Sequence, residues 1–317
     1  MLLKQYMFFL LILSTLTGCS DRSGAALHQA AERTPKPYAM ENTEVREIHA
    51  RALNRDYQLF IGLPRDYAES TRKYPVLFVT DATYAFPLIR SITKRVRNGG
   101  DDLEDFILVG LSYANGETPE YSRRRDYTPT PNGDKEAATG MPGRVPVYGE
   151  AEGYRRFIAD EVFPVIAQNY RADMQRTIYA GHSYGGLFGL HILFTEPTMF
   201  EKYIIGSPSL WFDRRVAFSA ERRYAKMNTD LPARVFMGVA SYETLNFSSG
   251  DPRYNKSVDM VRDLQSLEHL LESRSYPGLE VQTTIINDED HLTVFPALIT
   301  RGLKWAVPAR RSREDLN

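Results

Sequence analysis

One short segment of the sequence has the residue types that a serine nucleophile requires. Segment 181–186 reads Gly-His-Ser-Tyr-Gly-Gly and lies between the apolar run 177–180 and the apolar stretch 187–194. In a nucleophile elbow the serine occupies a strained turn between a strand and a helix, and glycines leave room for the neighbouring backbone. Ser183 is therefore the predicted nucleophile. A glycine-rich turn without chemistry is the alternative interpretation, because the pattern alone is common at average glycine usage.

A serine hydroxyl needs a base that takes its proton, and histidine suits this role near neutral pH. His291 is the predicted base because its segment 287–292, Asn-Asp-Glu-Asp-His-Leu, follows the last predicted strand. Such a loop lies at the carboxyl edge of the sheet, where open α/β folds bind their ligands. The other histidines have more suitable structural or solvent-facing interpretations: His28, His49, His182, His191 and His269.

The third member of a catalytic triad in this chain order is an acid that lies between the serine and the histidine. Glu243 follows the predicted strand 235–239 and fits that position. Its role would be to fix the tautomer of the imidazole and to stabilise the imidazolium. Asp213 and Asp251 are rival candidates, and a Ser-His dyad without an acid remains open.

An oxyanion hole is expected from two backbone N–H groups. The first belongs to Tyr184, which follows the nucleophile, and the second comes from the loop after the strand that ends at Asp81. Ala82 is the expected second donor.

The elements that must position these residues are apolar runs of strand length. A hairpin is predicted over 45–53 and 57–63, and buried strands are predicted over 74–81, 106–111, 177–180, 203–205, 235–239 and 281–286. Helical periodicity covers 153–170, where Pro164 should produce a kink, then 257–271, and a last helix from Pro296. Strands that alternate with helices favour an α/β-hydrolase fold, with a mostly parallel sheet covered on both faces, as one domain over 43–307.

One stretch has no periodicity. Residues 128–152 contain several prolines and glycines and form a connection much longer than usual. Such loops are typically lids, binding loops or disordered segments. We expect a mobile loop over the site.

The N-terminus has the pattern of a bacterial lipoprotein signal. Lys4 precedes the apolar run 7–13, and Leu-Thr-Gly-Cys at 16–19 resembles a lipobox. Residues 1–18 are therefore predicted to be a signal peptide, with Cys19 as the lipid attachment site. The apolar run is too short to span a bilayer as a helix, and a buried helix is the alternative interpretation.

The resemblance to bacterial lipoproteins also carries a prediction of location. Ser20 after the cysteine implies the outer membrane, with the protein facing the periplasm. A flexible tether over 19–42 would connect the lipid to the folded domain, and 308–317 would form a charged tail. Because Cys19 is the only cysteine, disulfide bonds within the chain are excluded.

The charge balance argues against a polyelectrolyte partner. The chain has 39 Lys and Arg against 40 Asp and Glu, for a net charge of −1. A nucleic-acid-binding protein is expected to carry a basic excess. We expect a small-molecule ester as the partner, and the proposed chemistry requires no metal and no cofactor.

Four segments together resemble the putative-esterase branch of the α/β hydrolases. They are the sequence Arg-Arg-Arg-Asp-Tyr-Thr-Pro at 123–129, the elbow with its following helix at 181–188, Ser-Pro-Ser-Leu-Trp at 207–211, and the loop that contains His291. The resemblance runs from about Tyr57 to Trp305 and is strongest to the siderophore trilactone hydrolases. It implies that Arg123 is an electrostatic stabiliser beside the nucleophile. The chain departs from the family at 149–150, where Gly-Glu replaces a frequent Gly-Gly pair.

The resemblance also implies a substrate, a ferric catecholate trilactone or a related siderophore ester. Such a substrate is anionic and aromatic, so Trp211 is expected to stack on an aryl ring and arginines are expected to supply countercharge. The expected substrate-binding residues are Trp211, Ser209, Arg125 and His182, with further countercharge from Arg123, Arg124, Arg214 and Arg215. Two alternatives are a general carboxylesterase for feruloyl, acetyl or other small acyl esters and a non-catalytic binding module.

Overall fold

The structure is a computed structural model that describes residues 37–98 and 103–309. The predicted signal peptide, Cys19, His28 and most of the predicted tether and tail lie outside the described residues. Within them, eight strands form one sheet in the order β1-β2-β4-β3-β5-β6-β7-β8. The strands are β1 Thr43–Ala50, β2 Arg55–Gly62, β3 Tyr74–Val79, β4 Ile107–Ala114, β5 Ala172–His182, β6 Lys202–Gly206, β7 Ala233–Ala240 and β8 Leu279–Ile286.

The sheet confirms the mostly parallel architecture. The strand β1 pairs antiparallel with β2, and β2 pairs antiparallel with β4. All remaining pairs, from β4-β3 through β7-β8, are parallel. The carboxyl ends of β3 and of β5 to β8 therefore lie along one edge, as a site assembled from their following loops requires.

Helices cover both faces of the sheet. They are α1 Ala82–Asn98, α2 Pro119–Tyr127, α3 Ala151–Phe157, α4 Phe163–Asn169, α5 Tyr184–Leu193, α6 Phe212–Met227, α7 Met260–Arg274 and α8 Val294–Ala306. Side chains of α1 and α8 belong to one buried cluster with Leu77 and Val79 of β3. Side chains of α3 to α7 belong to the other, with Val76 and Phe78 of the same strand. Adjacent strand residues face opposite layers, so the strands are buried on both sides.

The helix predicted over 153–170 is interrupted. A π-helical turn, Ile158–Val162, separates α3 from α4, and the N–H of Phe163 donates to the carbonyl of Ile158. Pro164 follows directly and has no N–H to donate, so the wider turn is where proline is expected to disturb the helix.

Three helices, α1, α2 and α6, were not predicted from periodicity. The helix α2 begins with Pro119 after the N-cap Thr118 and carries three arginines instead of an apolar stripe. The helix α6 begins with Phe212 and then contains three consecutive left-handed residues, 213–215. The arginines of α2 obscure its apolar period, and the left-handed residues of α6 interrupt the helical spacing near its start. None of the described helices is both long and apolar enough to cross a membrane.

The long connection between α2 and α3, residues 128–150, is hydrogen-bonded at several points. Thr130 Oγ1 and Asn132 Nδ2 donate to the Asp213 carboxylate at 2.6 and 3.0 Å. Gly149, with φ 98°, donates its N–H to Thr128 Oγ1 at 2.9 Å. A side chain at Gly149 would place its Cβ 2.7 Å from the backbone of Pro131. The Asp213 contacts join residues 130–132 to the start of α6, whereas the Gly149 contacts lie within the loop itself. The mobility of the loop stays a prediction.

Candidate active site

The elbow at the end of β5 has the geometry that the sequence predicts. Ser183 has φ 61° and ψ −118°, between the last strand residue and the first residue of α5. A Cβ on Gly181 would lie 2.5 Å from the carbonyl oxygen of Gly185, so only glycine allows this turn. The Ser183 N–H donates to the Gly206 carbonyl at 2.9 Å, which joins the elbow to β6.

His291 lies beside the nucleophile although 108 positions separate the two residues. The distance between His291 Nε2 and Ser183 Oγ is 3.0 Å. Asp290 holds the loop at the start of α8, because its Oδ1 accepts from the N–H groups of Leu292 and Thr293 at 2.8 and 3.1 Å. A base in this position can take the hydroxyl proton directly.

Glu243 lies on the other side of the imidazole. It ends the short 3₁₀ turn Ser241–Glu243 after β7, is 1% exposed, and places Oε1 2.5 Å from His291 Nδ1. Its Oε2 accepts from Ser207 Oγ at 2.6 Å and from the Ala240 N–H at 2.7 Å. The structure thus brings together the three side chains of a Ser-His-Glu triad.

The rival acids have other partners. Asp213 binds Thr130 and Asn132 of the long loop, and these hydrogen bonds lower the pKa of Asp213. Asp251 forms an ion pair with Arg253 at 2.6 Å. Neither contacts the imidazole, so geometry favours Glu243.

Two similar turns lie side by side next to the nucleophile. Asp81 has φ 56° and precedes Ala82, the first residue of α1, just as Ser183 precedes Tyr184, the first residue of α5. The parent strands β3 and β5 are neighbours, and a Cβ on Gly185 would lie 2.4 Å from Thr80 Oγ1. The first N–H groups of a helix have no acceptor within it. The N–H groups of Ala82 and Tyr184 are thus suited to bind an oxyanion.

Arg123 lies under these turns in a fixed orientation. Its Nε and Nη2 donate to the Asp81 carboxylate at 2.9 and 3.3 Å, and Nη2 lies 3.4 Å from the carbonyl oxygen of His182. Tyr113 donates its hydroxyl to the same carboxylate at 2.7 Å. Burial alone lowers the pKa of Arg123, but the charge and hydrogen bonds of Asp81 outweigh burial and raise it. The guanidinium is therefore permanently charged and close to the elbow.

Arg125 does not have the substrate-binding position that the sequence suggested. Its side chain is 3% exposed and donates to Glu117 at 2.6 Å and to Asp126 at 2.8 Å. Arg125 is two positions from Arg123 on a helix, so it faces a different side. The carboxylates of this buried ion cluster compensate the charge of Arg125, so its guanidinium is not available to a substrate. Arg215, one of the other countercharge candidates, is paired with the buried Asp263.

His182 packs against the base instead of projecting into open space. Its ring centroid is 4.7 Å from that of His291 and 5.7 Å from that of Phe295. Its Nε2 is buried, with no hydrogen-bond partner among the described residues. Burial lowers the pKa of His182 well below its usual value, and His291 and Arg123 lower it further. His182 is thus a neutral packing partner of His291.

Two aromatic side chains, Trp211 and Tyr184, lie next to each other near the nucleophile. Trp211 is 38% exposed, and its ring centroid is 6.0 Å from that of Tyr184. The Arg123 guanidinium lies 5.4 Å over the Tyr184 ring. Ser209 is buried, with its Oγ 3.5 Å from Ser183 Oγ. Trp211 is therefore accessible for stacking, whereas Ser209 contacts the nucleophile itself.

Residues 37–98 and 103–309 contain no group of three or more His, Cys, Asp or Glu side chains arranged to hold a metal ion. Ser207, Asp81 and Tyr113 hold the triad acid and Arg123, and the sequence assigned none of them this role. Ser207 lies in the family segment 207–211, but its partner was not predictable because these contacts join segments that are distant in the sequence.

The strand order and the elbow define a protein of the α/β-hydrolase type. Residues 50–260 match the sequence family described as "Putative esterase", and the chain belongs to that family. The protein is thus a carboxylic ester hydrolase.

Individual relatives extend the similarity over most of the chain. Ferri-bacillibactin esterase BesA of Bacillus subtilis is 29% identical over 282 residues, which cover 86% of this chain and 92% of BesA. The siderophore enterobactin esterase of Emericella nidulans is 29% identical over 277 residues, 78% of this chain and 88% of that protein. The crystal structure of the BES protein from Bacillus cereus superposes with a TM-score of 0.72 at 26% identity, over 87% of this chain and 99% of that one.

Proposed function

We propose that the protein hydrolyses the ester bonds of a siderophore trilactone through an acyl-enzyme on Ser183. The observation that carries the proposal is the hydrogen-bonded chain of Ser183, His291 and Glu243, with distances of 3.0 and 2.5 Å, in a fold shared with siderophore esterases. The similarity to those relatives supports the substrate class, and the geometry supports the mechanism.

The reaction begins when His291 Nε2 takes the proton of Ser183 and the serine oxygen attacks the ester carbonyl. The N–H groups of Tyr184 and Ala82 then stabilise the oxyanion of the tetrahedral intermediate. The protonated imidazole gives its proton to the departing alcohol oxygen, which leaves an acyl-enzyme. Water, deprotonated by the same imidazole, attacks the acyl carbonyl and releases the acid and the free serine. Glu243 stabilises the imidazolium in both halves of the reaction.

Arg123 would add a fixed positive charge next to the developing oxyanion. Its ion pair with Asp81 holds the guanidinium under the two oxyanion turns. The same charge would attract an anionic substrate, such as a ferric catecholate, in which iron is part of the substrate. Trp211, exposed at the rim, is suited to stack on one aryl arm.

The mechanism is tested by replacing Ser183 with alanine. We expect the kcat of Ser183→Ala to fall roughly 10³–10⁶-fold, as triad knock-outs do in other serine hydrolases. A fluorophosphonate probe should label the parent protein and not the variant. Near-normal hydrolysis by the variant would remove Ser183 from the mechanism.

The substrate is tested separately with a panel of esters. The iron-loaded trilactone should be hydrolysed with a higher kcat/KM than nitrophenyl esters or acetylated and feruloylated sugars. A preference for the simple esters would favour the alternative function, a general carboxylesterase. The complete Ser-His-Glu arrangement is equally consistent with that alternative, so the panel decides between the two.

We also propose that Cys19 is acylated and anchors the protein in the outer membrane, facing the periplasm. The support is the lipobox-like sequence 16–19 with serine at position 20. Labelled palmitate should be incorporated into the parent protein and not into Cys19→Ser. Fractionation with the outer membrane is expected, and recovery of the unlabelled protein in the soluble periplasm would contradict the anchor.

A further inference from the structure

We propose that Ser207 is a positioning residue of the triad: its hydroxyl fixes the Glu243 carboxylate and, through it, the imidazole of His291. The proposal rests on the proposed acyl-enzyme mechanism. It concerns a residue to which the sequence analysis assigned no role.

Ser207 directly follows β6 and is completely buried, with an exposure of 0%. Its Oγ donates to Glu243 Oε2 at 2.6 Å, and its N–H donates to the Gly238 carbonyl of β7 at 2.7 Å. A serine hydroxyl has a single proton to donate. Ser207 gives that proton to the triad acid, while its backbone binds the strand that leads to the acid.

The Ser207 hydroxyl is one of the three hydrogen-bond partners that hold the Glu243 carboxylate. A buried carboxylate requires hydrogen-bond donors on both oxygens. Oε1 contacts the imidazole, and the second donor to Oε2 is the N–H of Ala240, the last residue of β7. Among the described residues, Ser207 supplies the only side-chain hydroxyl that donates to the Glu243 carboxylate. It ties the acid to the segment that follows β6, in addition to the backbone contact with β7.

The segment that carries Ser207 also contacts the nucleophile. Ser209 donates its N–H to the Ser183 carbonyl at 3.2 Å, and the two serine hydroxyl oxygens are 3.5 Å apart. Pro208 lies between the two serines and restricts φ. Ser207 and Ser209, two positions apart, thus contact the acid and the nucleophile, the two ends of the triad.

The backbone of Ser207 is strained in a way that the hydroxyl explains. Its φ of 37° lies in the left-handed region, which glycine adopts at no steric cost and serine does not. A glycine would relieve this strain but would have no hydroxyl to donate. Strain that persists in a buried residue at a functional site is expected where the side chain has a role.

The test compares Ser207→Ala with Ser207→Gly on a nitrophenyl ester, so that it does not depend on the siderophore. Both variants lack the hydroxyl, but only glycine relieves the left-handed backbone. We expect kcat to fall about tenfold in both, with KM nearly unchanged, because a hydrogen bond to a charged group is lost. Ser112→Ala, which removes another buried serine hydroxyl in β4, is the matched control and should keep the parent kcat.

The outcome that overturns the proposal is a Ser207→Gly variant with the kcat of the parent protein, since Ser207 would then act through its backbone alone. Thermal unfolding of each variant shows whether it is folded, and Ser207→Gly keeps the test valid if Ser207→Ala does not fold. If the Ser183→Ala variant kept the activity of the parent protein, the proposed mechanism itself would be refuted.

A spectroscopic readout separates positioning from a general loss of stability. The Nδ1 proton of His291, in its 2.5 Å hydrogen bond to Glu243, should give a low-field proton resonance that is absent from His291→Ala. In both Ser207 variants we expect this resonance to shift or to broaden by faster exchange with water. An unchanged resonance alongside a reduced kcat would also overturn the proposal.

Discussion

Two carboxylates, Glu243 and Asp126, are equally buried but have different partners. Their exposures are 1% and 2%. Asp126 accepts from Arg125 at 2.8 Å, from the Tyr57 hydroxyl at 2.9 Å and from Ser122 at 3.2 Å. In the part of the chain that the structure describes, the contacts of Glu243 are with a hydroxyl, a backbone N–H and an imidazole, and with no lysine or arginine.

The difference explains how one fold uses the same group in two ways. The charge of Asp126 is compensated permanently by the guanidinium of Arg125 in the same helix. The Tyr57 hydroxyl donates to the same carboxylate, so Asp126 holds α2 against β2. Glu243 meets a full positive charge only when His291 takes a proton, which happens during catalysis. A buried carboxylate without a fixed cation is thus able to stabilise a transient imidazolium, whereas a paired one is structural.

The largest effect is expected when Glu243 is changed to glutamine. Glutamine has nearly the same shape, but its amide can favour the wrong tautomer of the imidazole and has no charge to stabilise the imidazolium. We expect kcat to fall about 10²–10⁴-fold with the fold intact. Steady-state kinetics and thermal unfolding measure both. A kcat within twofold of the parent value would mean that a Ser-His dyad is sufficient.

The matched change at the second carboxylate of the comparison is Asp126→Asn, which should lower stability and leave catalysis unchanged. It leaves Glu117 as the remaining carboxylate hydrogen-bonded to the buried Arg125, so the free energy of unfolding should fall by about 1–3 kcal/mol. Denaturant unfolding measures this loss, and the kcat of the folded enzyme should remain near the parent value. Asp251→Asn, which breaks a surface pair with Arg253, is the control and should change stability little. A catalytic defect at full stability would contradict the structural role of Asp126.

Arg123 tests the comparison at a third carboxylate, Asp81, which is paired and also close to the nucleophile. We expect Arg123→Met to lower kcat about 10²-fold, because a fixed charge is lost and Asp81 becomes an uncompensated negative charge beside the oxyanion turn. A double variant with Asp81→Asn should recover part of the loss. Arg124→Met is the control for a neighbouring arginine and should have little effect on kcat. Equal defects in the single and double variants would exclude repulsion by Asp81.

The smallest effect concerns His182, which must stay neutral if Glu243 is to have no second cation nearby. Its pKa is lowered in the folded protein, so below about pH 6.5 the unfolded chain gains a proton that the folded chain does not. Stability should therefore fall as the pH decreases below 6.5, by up to about 1.4 kcal/mol per pH unit from this residue. His182→Gln should have a correspondingly shallower loss of stability in denaturant unfolding between pH 6.5 and 5. Identical slopes would mean that His182 is protonated in the folded protein.

The sequence predicted the features that depend on residues close together in the chain, namely the buried strands and the elbow. The runs at 74–81 and 235–239 predicted β3 and β7, because a strand buried on both faces must be continuously apolar. The glycines around Ser183 predicted the elbow, because only glycine allows the close backbone contacts of that turn. The helices α2 and α6 were not predicted, because α2 carries arginines in place of an apolar stripe and α6 has a left-handed interruption.

The sequence by itself therefore determined the α/β class, the elbow and the chain order in which a serine, an acid and a histidine occur. Tertiary structure alone decided which polar side chains meet. Arg123 and Arg125 are two positions apart in the same motif, yet one lies under the oxyanion turns and the other in a buried ion cluster. Ser207 contacts an acid 36 positions away. Hydrogen bonds act over about 3 Å, so their partners are known only when strands distant in the sequence are aligned in space.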